Sequence, residues 1–197
     1  MAPGGPTGAP RRSRASGKKA QGQAQNAVWN LPAARPNDVW SYDFTIARTR
    51  SGSPLRILNV VDEFTRVALG CWVAPSIGAR DVIAELTELF RVHGRPRVLR
   101  SDNGREFIAA SLVSWLSEQG VRAAFIEKGS PQQNPLVERF NGAMRDEKLN
   151  GEEFDSVLEA RVVLQDWIRE YNERRPHRGL GMKTPRQFAL DWKKGRA

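Results

Sequence analysis

Apolar and polar residues alternate along residues 39–46 of the chain. The aromatic and apolar side chains fall on one face, whereas Asp43 falls on the other face with two hydroxyl residues, which is the period-two pattern of a β-strand. Two further apolar runs, at residues 55–61 and 66–73, predict two more strands. The pattern therefore predicts an antiparallel meander of three strands that begins near Pro36. The residues expected on the apolar face of the first strand are Trp40, Tyr42, Phe44 and Ile46.

Helical spacing then alternates with short strands. Apolar residues recur at helical intervals between Ser76, a candidate N-cap, and Gly94, and a short strand is predicted at residues 97–100. A second helix ends at Gly120, and a fifth strand follows at residues 121–126. The residues of the second helix that are expected to point inward are Ile108, Leu112, Trp115 and Leu116.

Two more helices complete the predicted fold. One begins at Asn134-Pro135, where asparagine caps the helix and proline takes the first helical position, and it runs to about Leu149. The other begins with a capping box at Ser156. The resulting order, β-β-β-α-β-α-β-α-α, predicts an α/β fold in which helices cover both faces of a mixed five-stranded sheet. The residues that the last helix is expected to bury are Leu158, Val162, Trp167, Ile168 and Tyr171.

Composition excludes several classes of protein. Apolar residues make up 40% of the chain, which is enough for a core, but no apolar run approaches the roughly 20 residues of a membrane-spanning helix. The first residues lack the apolar stretch of a signal peptide, so we expect a cytoplasmic protein without a membrane partner. One cysteine and two histidines exclude an internal disulfide and argue against a zinc site of the Cys/His type.

The net charge of +9 is unevenly distributed. Residues 1–36 contain six basic residues and no acidic residue. A basic segment without hydrophobic periodicity is not expected to fold by itself, and it is typical of linkers as well as of arms that bind nucleic acid. We therefore divide the chain into a basic tail at residues 1–35, a single domain at residues 36–190 and a short C-terminal tail at residues 191–197.

Three acidic residues lie where an acid needs an explanation. Asp43 interrupts an aromatic strand, Asp102 follows the end of the fourth strand, where ligands of open α/β sheets collect, and Glu138 lies near the start of a helix. Taken singly, each is also explained by a strand edge, a turn or the helix dipole. The 35 residues between Asp102 and Glu138 hold one helix, one strand and one loop, so the chain returns to the same end of the sheet. Three converging carboxylates repel one another, and a divalent cation is their natural counter-charge.

Four segments of the chain resemble the catalytic core of bacterial insertion-sequence transposases. These enzymes belong to the retroviral-integrase superfamily, in the branch whose transposase is read from a second, "B" reading frame. The resemblance extends over residues 36–190 and includes the spacing of the three acids. The segments are Val39–Phe44 (VWSYDF), Ser101–Phe107 (SDNGREF), Gln133–Asn141 (QNPLVERFN) and Tyr171–Pro185 (YNERRPHRGLGMKTP).

The resemblance implies a ribonuclease-H-like fold and a polynucleotidyl transferase that cleaves and joins DNA strands during DNA integration. The catalytic, metal-binding acids of the family match Asp43, Asp102 and Glu138, which implies two Mg²⁺ ions, with Mn²⁺ as a substitute. Arg145, seven residues after the glutamate, is expected to contact a DNA phosphate. The other residues that the match assigns to DNA binding are Asn103, Asn141, Arg175 and His177.

The resemblance also implies partners. The element ends and the target DNA are the expected substrates, and self-association is expected because related enzymes bridge two DNA ends. Transposases of this branch carry a helix-turn-helix segment before the core, whereas the tail at residues 1–35 lacks that pattern. A truncated copy, the downstream product of a frameshifted gene, and a core that depends on a helix-turn-helix partner protein are all consistent with this tail.

Two other functions fit the residues. A non-catalytic DNA-binding remnant would keep the fold and its basic surface without a metal-competent site. A ribonuclease-H-like nuclease would cut RNA–DNA hybrids, although the C-terminal signature argues against it. Other acids compete with the three candidates: Asp62 and Glu63 are interpreted as turn residues, and Glu106 is expected to pair with Arg105 or Arg122.

Overall fold

The structure, a computed structural model, describes Met1 and residues 32–126 and 134–195. The strands in these residues are β1 (Val39–Arg48), β2 (Pro54–Asp62), β3 (Ala68–Ala74), β4 (Val98–Ser101) and β5 (Arg122–Phe125). The α-helices are α1 (Ala79–His93), α2 (Ala110–Glu118), α3 (Pro135–Met144), α4 (Val157–Arg174) and α5 (Pro185–Lys193). A π-helical turn (Arg145–Leu149) continues α3, and a 3-10 turn (Arg178–Leu180) precedes α5. Across these described ranges, no helix combines the length and the apolar character needed to cross a bilayer.

The five strands form one mixed sheet in the order β3-β2-β1-β4-β5. Strand β2 pairs antiparallel with both β1 and β3, whereas β4 pairs parallel with both β1 and β5. This arrangement confirms the predicted meander followed by alternating helices and strands. Strand β1 lies at the centre of the sheet, and helices cover both of its faces.

The helices form two layers, one on each face of the sheet. Helices α1 and α2 pack on the face that carries Trp40 and Tyr42, and α3 and α4 pack on the opposite face. Asp43 lies on the α3 side, as the alternation along the first strand predicts. The buried residues between the sheet and α3–α4 include Ile57, Val61, Val137, Phe140, Leu164 and Trp167.

Two helix starts lie where the sequence predicts them. Helix α3 begins directly after Asn134, with proline at its first position. The prediction that the asparagine side chain caps the helix is wrong, because the buried Asn134 Oδ1 accepts no hydrogen bond from the described residues. Helix α4 begins after Ser156, whose Oγ accepts a hydrogen bond from the backbone N–H of Glu159 at 3.1 Å. The first helix, in contrast, begins after Gly78 and not at Ser76, because Asp81 accepts the Gly78 N–H at 2.8 Å and so closes the first turn there.

Helix α5 is an element that the pattern analysis missed. Its start carries a complete capping box, in which Thr184 Oγ1 accepts the Gln187 N–H at 3.2 Å and Gln187 Oε1 accepts the Thr184 N–H at 3.1 Å. The ring of Trp192 on α5 lies edge-on to Phe64 in the turn after β2, with the centroids 4.7 Å apart. The helix therefore covers the turn between β2 and β3.

Four positions that were predicted to be buried are exposed. Ile46 lies near the end of β1, beyond the helices of the α1–α2 layer, and Ile108 precedes α2. Leu158 and Val162 lie on the outer face of α4. The relative exposures are 69% for Ile46, 49% for Ile108, 68% for Leu158 and 52% for Val162. The inner face of α4 carries Ala160, Leu164, Trp167 and Tyr171 instead.

Candidate active site

The sheet and α3 bring the three predicted acids to one region. Residues Ser41 and Arg100 are partners in the parallel register of β1 and β4. Asp43, in the middle of β1, and Asp102, just beyond the end of β4, each lie two residues further along and are therefore level with each other. Asp102 is the first residue after β4. Glu138 lies in the first turn of α3, the helix that packs over β1.

Asp43 is held in place by hydrogen bonds to both of its carboxylate oxygens. Its Oδ2 accepts from Asn141 Nδ2 of α3 at 2.9 Å, and its Oδ1 accepts from the backbone N–H of Phe44 at 2.8 Å. Each carboxylate oxygen has a second lone pair, so the group keeps the capacity to bind a cation. The contact to Asn141 fixes the position of α3 relative to β1.

A second asparagine extends this contact into the core. Asn59 is the antiparallel register partner of Asp43 on β2, and its Nδ2 donates to Asn141 Oδ1 at 2.8 Å. Both asparagines are buried. The three side chains, Asn59, Asn141 and Asp43, therefore form one continuous hydrogen-bonded chain, and Asn59 orients the amide that orients the acid.

Asn59 is a residue that the sequence analysis missed. It is the only side-chain amide in the apolar run of residues 55–61, and a polar residue at the centre of a strand was the same signal that selected Asp43. That signal could have found it.

The carboxylate of Asp43 interacts electrostatically with Asp102 and Glu138. The pKa of Asp43 is raised from 3.8 to about 6, mainly by burial and further by the charges of Asp102 and Glu138. The hydrogen bonds from Phe44 and Asn141 act in the opposite direction. Burial also raises the pKa of Glu138. Three negative groups thus share this region, and a cation bound there would relieve their repulsion.

The turn that carries Asp102 is tightly packed. Asp102 Oδ1 accepts the backbone N–H of Gly104 at 2.9 Å, and a Cβ on Gly104 would lie 3.0 Å from that oxygen and 3.2 Å from the Phe107 ring. A side chain at Gly104 would therefore require the Asp102 carboxylate or the Phe107 ring to shift by a few tenths of an ångström. Asn103 Nδ2 donates to the backbone carbonyl of Ile126, which ties this turn to the end of β5.

The donor set suits a hard cation. Asp43, Asp102 and Glu138 offer only oxygen ligands, which is the chemistry of Mg²⁺ and Mn²⁺ sites. Among the residues that the structure describes, no group of three or more acidic, histidine or cysteine side chains lies close enough together to hold a metal ion as it stands. Asp43 is held at both carboxylate oxygens, whereas the side chains of Asp102 and Glu138 are exposed, and Asp102 is held at Oδ1 by the Gly104 N–H.

The predicted DNA-binding residues do not all lie together. Asn103 and Asn141 adjoin the acids, and Arg145 is exposed at the start of the π-helical turn. Arg175 and His177 lie elsewhere, beside the ring of Tyr171, with the His177 ring edge-on to Tyr171 at 5.1 Å. The five residues therefore occupy two separate surfaces.

The competing acids have structural partners. Glu106 pairs with Arg56 at 2.7 Å, so the expectation that Arg105 or Arg122 would be its partner is wrong. Glu63 forms a buried ion pair with Arg100 at 2.8 Å. These contacts leave neither carboxylate for a metal.

Asp62 is also a structural acid, as its interpretation as a turn residue predicts. Its Oδ1 accepts the N–H groups of Phe64 and Thr65, and its Oδ2 accepts the N–H of Asn37. The carboxylate thereby fixes the turn between β2 and β3.

Comparison with known proteins decides the family. Residues 33–131 match one family model described as "Integrase core domain", and residues 119–185 match a second model with the same description. The chain belongs to the integrase core family. Together the two matches span the sheet, the three acids and the C-terminal signature.

Relatives of this integrase core come from bacterial insertion elements. It is 37% identical over 182 residues, 92% of the chain, to an uncharacterized 39.2 kDa protein of insertion element IS476 of Xanthomonas euvesicatoria, and it covers 52% of that protein. It is 29% identical over 159 residues, 79% of the chain, to the transposase InsF of insertion sequence IS3A of Escherichia coli, of which it covers 55%. The chain thus spans about half the length of the relatives it matches, and the predicted resemblance to insertion-element transposases is confirmed.

The solved structures confirm the ribonuclease-H-like fold. The integrase core superposes with a TM-score of 0.61 on the HTLV-2 integrase catalytic core domain, a structure described as a complex with magnesium in a dimeric form. The match covers 79% of this chain and 98% of that chain at 16% identity. The predicted mixed five-stranded sheet, with three antiparallel strands followed by alternating helices and strands, is therefore confirmed as a ribonuclease-H-like fold.

Proposed function

We propose that this integrase core cleaves DNA phosphodiester bonds and transfers the cut strands, with Asp43, Asp102 and Glu138 as metal ligands. The observation that carries the proposal is the placement of the acids: the β1–β4 register sets Asp43 level with Asp102, and the helix that bonds to Asp43 through Asn141 carries Glu138 in its first turn, although Asp102 and Glu138 are 59 and 95 residues from Asp43 in sequence. The charges of Asp102 and Glu138 both raise the pKa of Asp43, and a fold that served stability alone would have no reason to place a buried carboxylate within range of two others. The match to the integrase core family and the insertion-element transposases among the relatives support the same function.

The cofactor we propose is a pair of Mg²⁺ ions, for which Mn²⁺ substitutes. Bound magnesium supplies an activated water or 3′-hydroxyl as nucleophile and stabilises the departing oxygen. The magnesium named in the HTLV-2 core structure supports this assignment, as does the all-oxygen donor set described above. With water as nucleophile the reaction is nicking, and with a 3′-hydroxyl it is strand joining.

The protein's own residues have separate tasks in this proposal. Asn141 holds Asp43 in one orientation, which preorganises the ligand set before the substrate binds. Asn103 and Arg145 lie where DNA would approach the acids, and Arg145, exposed and at the end of the same helix, would contact a phosphate. Neither histidine is required as a general base, since His93 packs near Trp40 and His177 near Tyr171.

The partners we propose follow from the family resemblance. A helix-turn-helix partner or segment would recognise the element ends, as it does in the insertion-sequence transposases that the chain resembles. The dimeric form of the HTLV-2 core supports self-association. The bacterial origin of the relatives supports a cytoplasmic protein that joins the nucleoid when it binds DNA.

The test is incubation of the full chain with a labelled linear duplex and Mg²⁺ or Mn²⁺. We expect nicked and joined products from the wild type and a loss of more than about 100-fold for Glu138→Gln. The control is Glu118→Gln, which neutralises an exposed glutamate on α2, on the opposite side of the sheet, and should retain full activity.

The same experiment separates the rival functions. A wild type that binds the duplex but yields no metal-dependent product would support the non-catalytic remnant. Cleavage of an RNA–DNA hybrid without any joining of DNA would support the nuclease. Full activity of Glu138→Gln would remove this residue from the ligand set.

A further inference from the structure

A second polar region lies on the other side of α3 from the acids. A cavity of about 290 Å³ opens between α3, the turn after β2 and the segment that follows α4. With about 100° per residue, Glu138, Asn141 and Arg145 share one side of the helix, whereas Leu136, Arg139, Phe140 and Ala143 share the opposite side. The residues of this second side are the ones that line the cavity.

The cavity is strongly basic. Four arginines and one histidine line it, and none of the described residues in its lining is acidic. Arg175 is compensated by Glu147 at 2.6 Å, outside the cavity, whereas Arg139 and Arg178 have no ion-pair partner among the described residues. The four arginines are Arg66, Arg139, Arg175 and Arg178, and the histidine is His177.

Two polar atoms at the base of the cavity are buried without a hydrogen-bond partner in the described part of the chain. They are Nη1 of Arg66 and Nε2 of His177. Such orphaned polar atoms are costly inside a protein. An anion in the cavity would accept a hydrogen bond from the arginine and offset the desolvation of both groups.

The surrounding structure holds these groups in place before any ligand binds. Arg66 has φ 64°, a left-handed conformation that is strained for arginine. The turn fixed by the Asp62 carboxylate imposes it, and the Arg66 N–H donates to the Asp62 carbonyl at 2.9 Å. His177 is fixed by its N–H bond to the Lys183 carbonyl at 3.0 Å. Strain kept by such a network is typical of ligand sites.

The basic residues of the cavity act on His177. Burial lowers the pKa of His177, and the positive charges of Arg175 and Arg66 lower it further. An anion bound in the cavity would act on this imidazole in the opposite direction.

We propose that this cavity binds a backbone phosphate of DNA, held by the guanidinium groups of Arg66, Arg139 and Arg178. Guanidinium groups match the geometry of phosphate oxygens, and contacts of this type position DNA without reading its sequence. Arg139 and Arg178 are exposed at the rim, so a phosphate that is part of a long polymer can reach them. The proposal rests on the proposed function, because the DNA is the substrate of that function, and α3 would then contact DNA on both of its sides.

The test uses the two histidines as reporters, in the full chain carrying Glu138→Gln and without divalent metal, so that no reaction interferes. Imidazole NMR signals are followed over pH with no addition, with inorganic phosphate and with a short duplex. We expect the duplex to raise the pKa of His177, because an anion reverses the repulsion from Arg66 and Arg175, and to leave the pKa of His93 unchanged. In Arg139→Gln/Arg178→Gln this response should be lost.

The second measurement is the salt dependence of duplex binding. The double variant should lower the slope of log K against log salt concentration by about 1, the value for one lost phosphate contact. The matched control is Arg80→Gln/Arg91→Gln, which removes the same charge from exposed positions on α1, on the other side of the sheet, and should leave the slope unchanged.

Each outcome decides the proposal. An equal fall in slope for the control, or a His177 pKa that the duplex does not move, overturns it. A response to inorganic phosphate alone also overturns it, since the cavity would then hold a small free anion. Failure of the proposed catalysis is distinguishable, because a wild type without cleavage activity could still show the His177 response and the change in slope.

Discussion

Asp43 carries a charge that destabilises the folded protein, and this has a measurable dependence on pH. The pKa of an unperturbed aspartate is 3.8, whereas the pKa of Asp43 in the folded protein is about 6. The folded state therefore binds the proton more tightly than the unfolded state. The free energy of unfolding should therefore fall as the pH rises from about 4 to about 6 and stay lower above that range. A shift of this size corresponds to at most about 3 kcal/mol.

We therefore expect Asp43→Asn to stabilise the protein at pH 8. The gain should be about 1–2 kcal/mol, smaller than the full electrostatic cost because one oxygen acceptor is lost, and it should vanish near pH 4. Urea unfolding in EDTA at both pH values measures it. A variant that is less stable than the wild type at pH 8 would show that burial and repulsion do not dominate at this carboxylate.

The asparagine pair makes a second prediction at the residue scale. Asn141→Ala leaves the buried Nδ2 of Asn59 without its oxygen acceptor and should cost about 1–3 kcal/mol of stability. The double variant Asn59→Ala/Asn141→Ala should cost less than the sum of the two single variants, because the second substitution removes the orphaned group. Additive costs would mean that the two amides do not act as a pair.

Helix α4 shows what hydrophobic periodicity predicts about a single element and what it leaves undecided. Its apolar residues form two stripes, Leu158–Val162 and Leu164–Trp167–Tyr171, and both have helical spacing. Spacing alone does not decide which stripe faces the sheet. In the structure the second stripe is buried. The ring centroids of Trp167 and Tyr171 lie 5.2 and 4.9 Å from the centroid of the Phe140 ring. The prediction of a helix was right, but two of the five residues predicted to be buried, Leu158 and Val162, are exposed.

Substitutions on the two stripes should differ accordingly. Leu158→Gln and Val162→Gln, at exposed positions, should change the free energy of unfolding of the monomer by less than about 0.5 kcal/mol. Leu164→Ala, at a fully buried position, should cost about 2–5 kcal/mol. Urea denaturation of the three variants at low protein concentration gives the comparison, and a large loss for Leu158→Gln would place the outer face in a contact.

The sequence predicts local features of the site well and its long-range contacts poorly. The positions of Asp43, Asp102 and Glu138 follow from a polar residue within a strand, a strand end and a helix start, which short stretches of sequence determine. The bond from Asn59 to Asn141 joins residues 82 apart, and it depends on a strand register that no local pattern specifies. The cavity beside Arg66 depends on a left-handed turn and on a segment more than 100 residues later, so its charge cluster is invisible in the linear chain.

At the scale of the whole molecule, the distribution of charge separates the tail from the domain. Residues 1–31 contain five basic residues and no acid, so their removal lowers the net charge from +9 to +4. The expectation of a basic, unfolded tail concerns residues that lie outside those the structure describes, apart from Met1 and residues 32–35. Contacts with the domain are present from Ala34 and Arg35, which both bond to Asp38, and this sets the boundary of a deletion.

Deletion of residues 1–31 should leave the thermal midpoint unchanged and weaken duplex binding. If all five basic residues contact phosphates, the slope of log K against log salt concentration should fall by about 4.5, since each contact contributes about 0.9. The deletion should leave the His177 response to duplex intact, because the cavity lies wholly within the domain. An unchanged slope would make the tail a passive linker, and the sequence-independent affinity for DNA would then have to come from the domain, where the arginines around α3 are the residues placed to supply it.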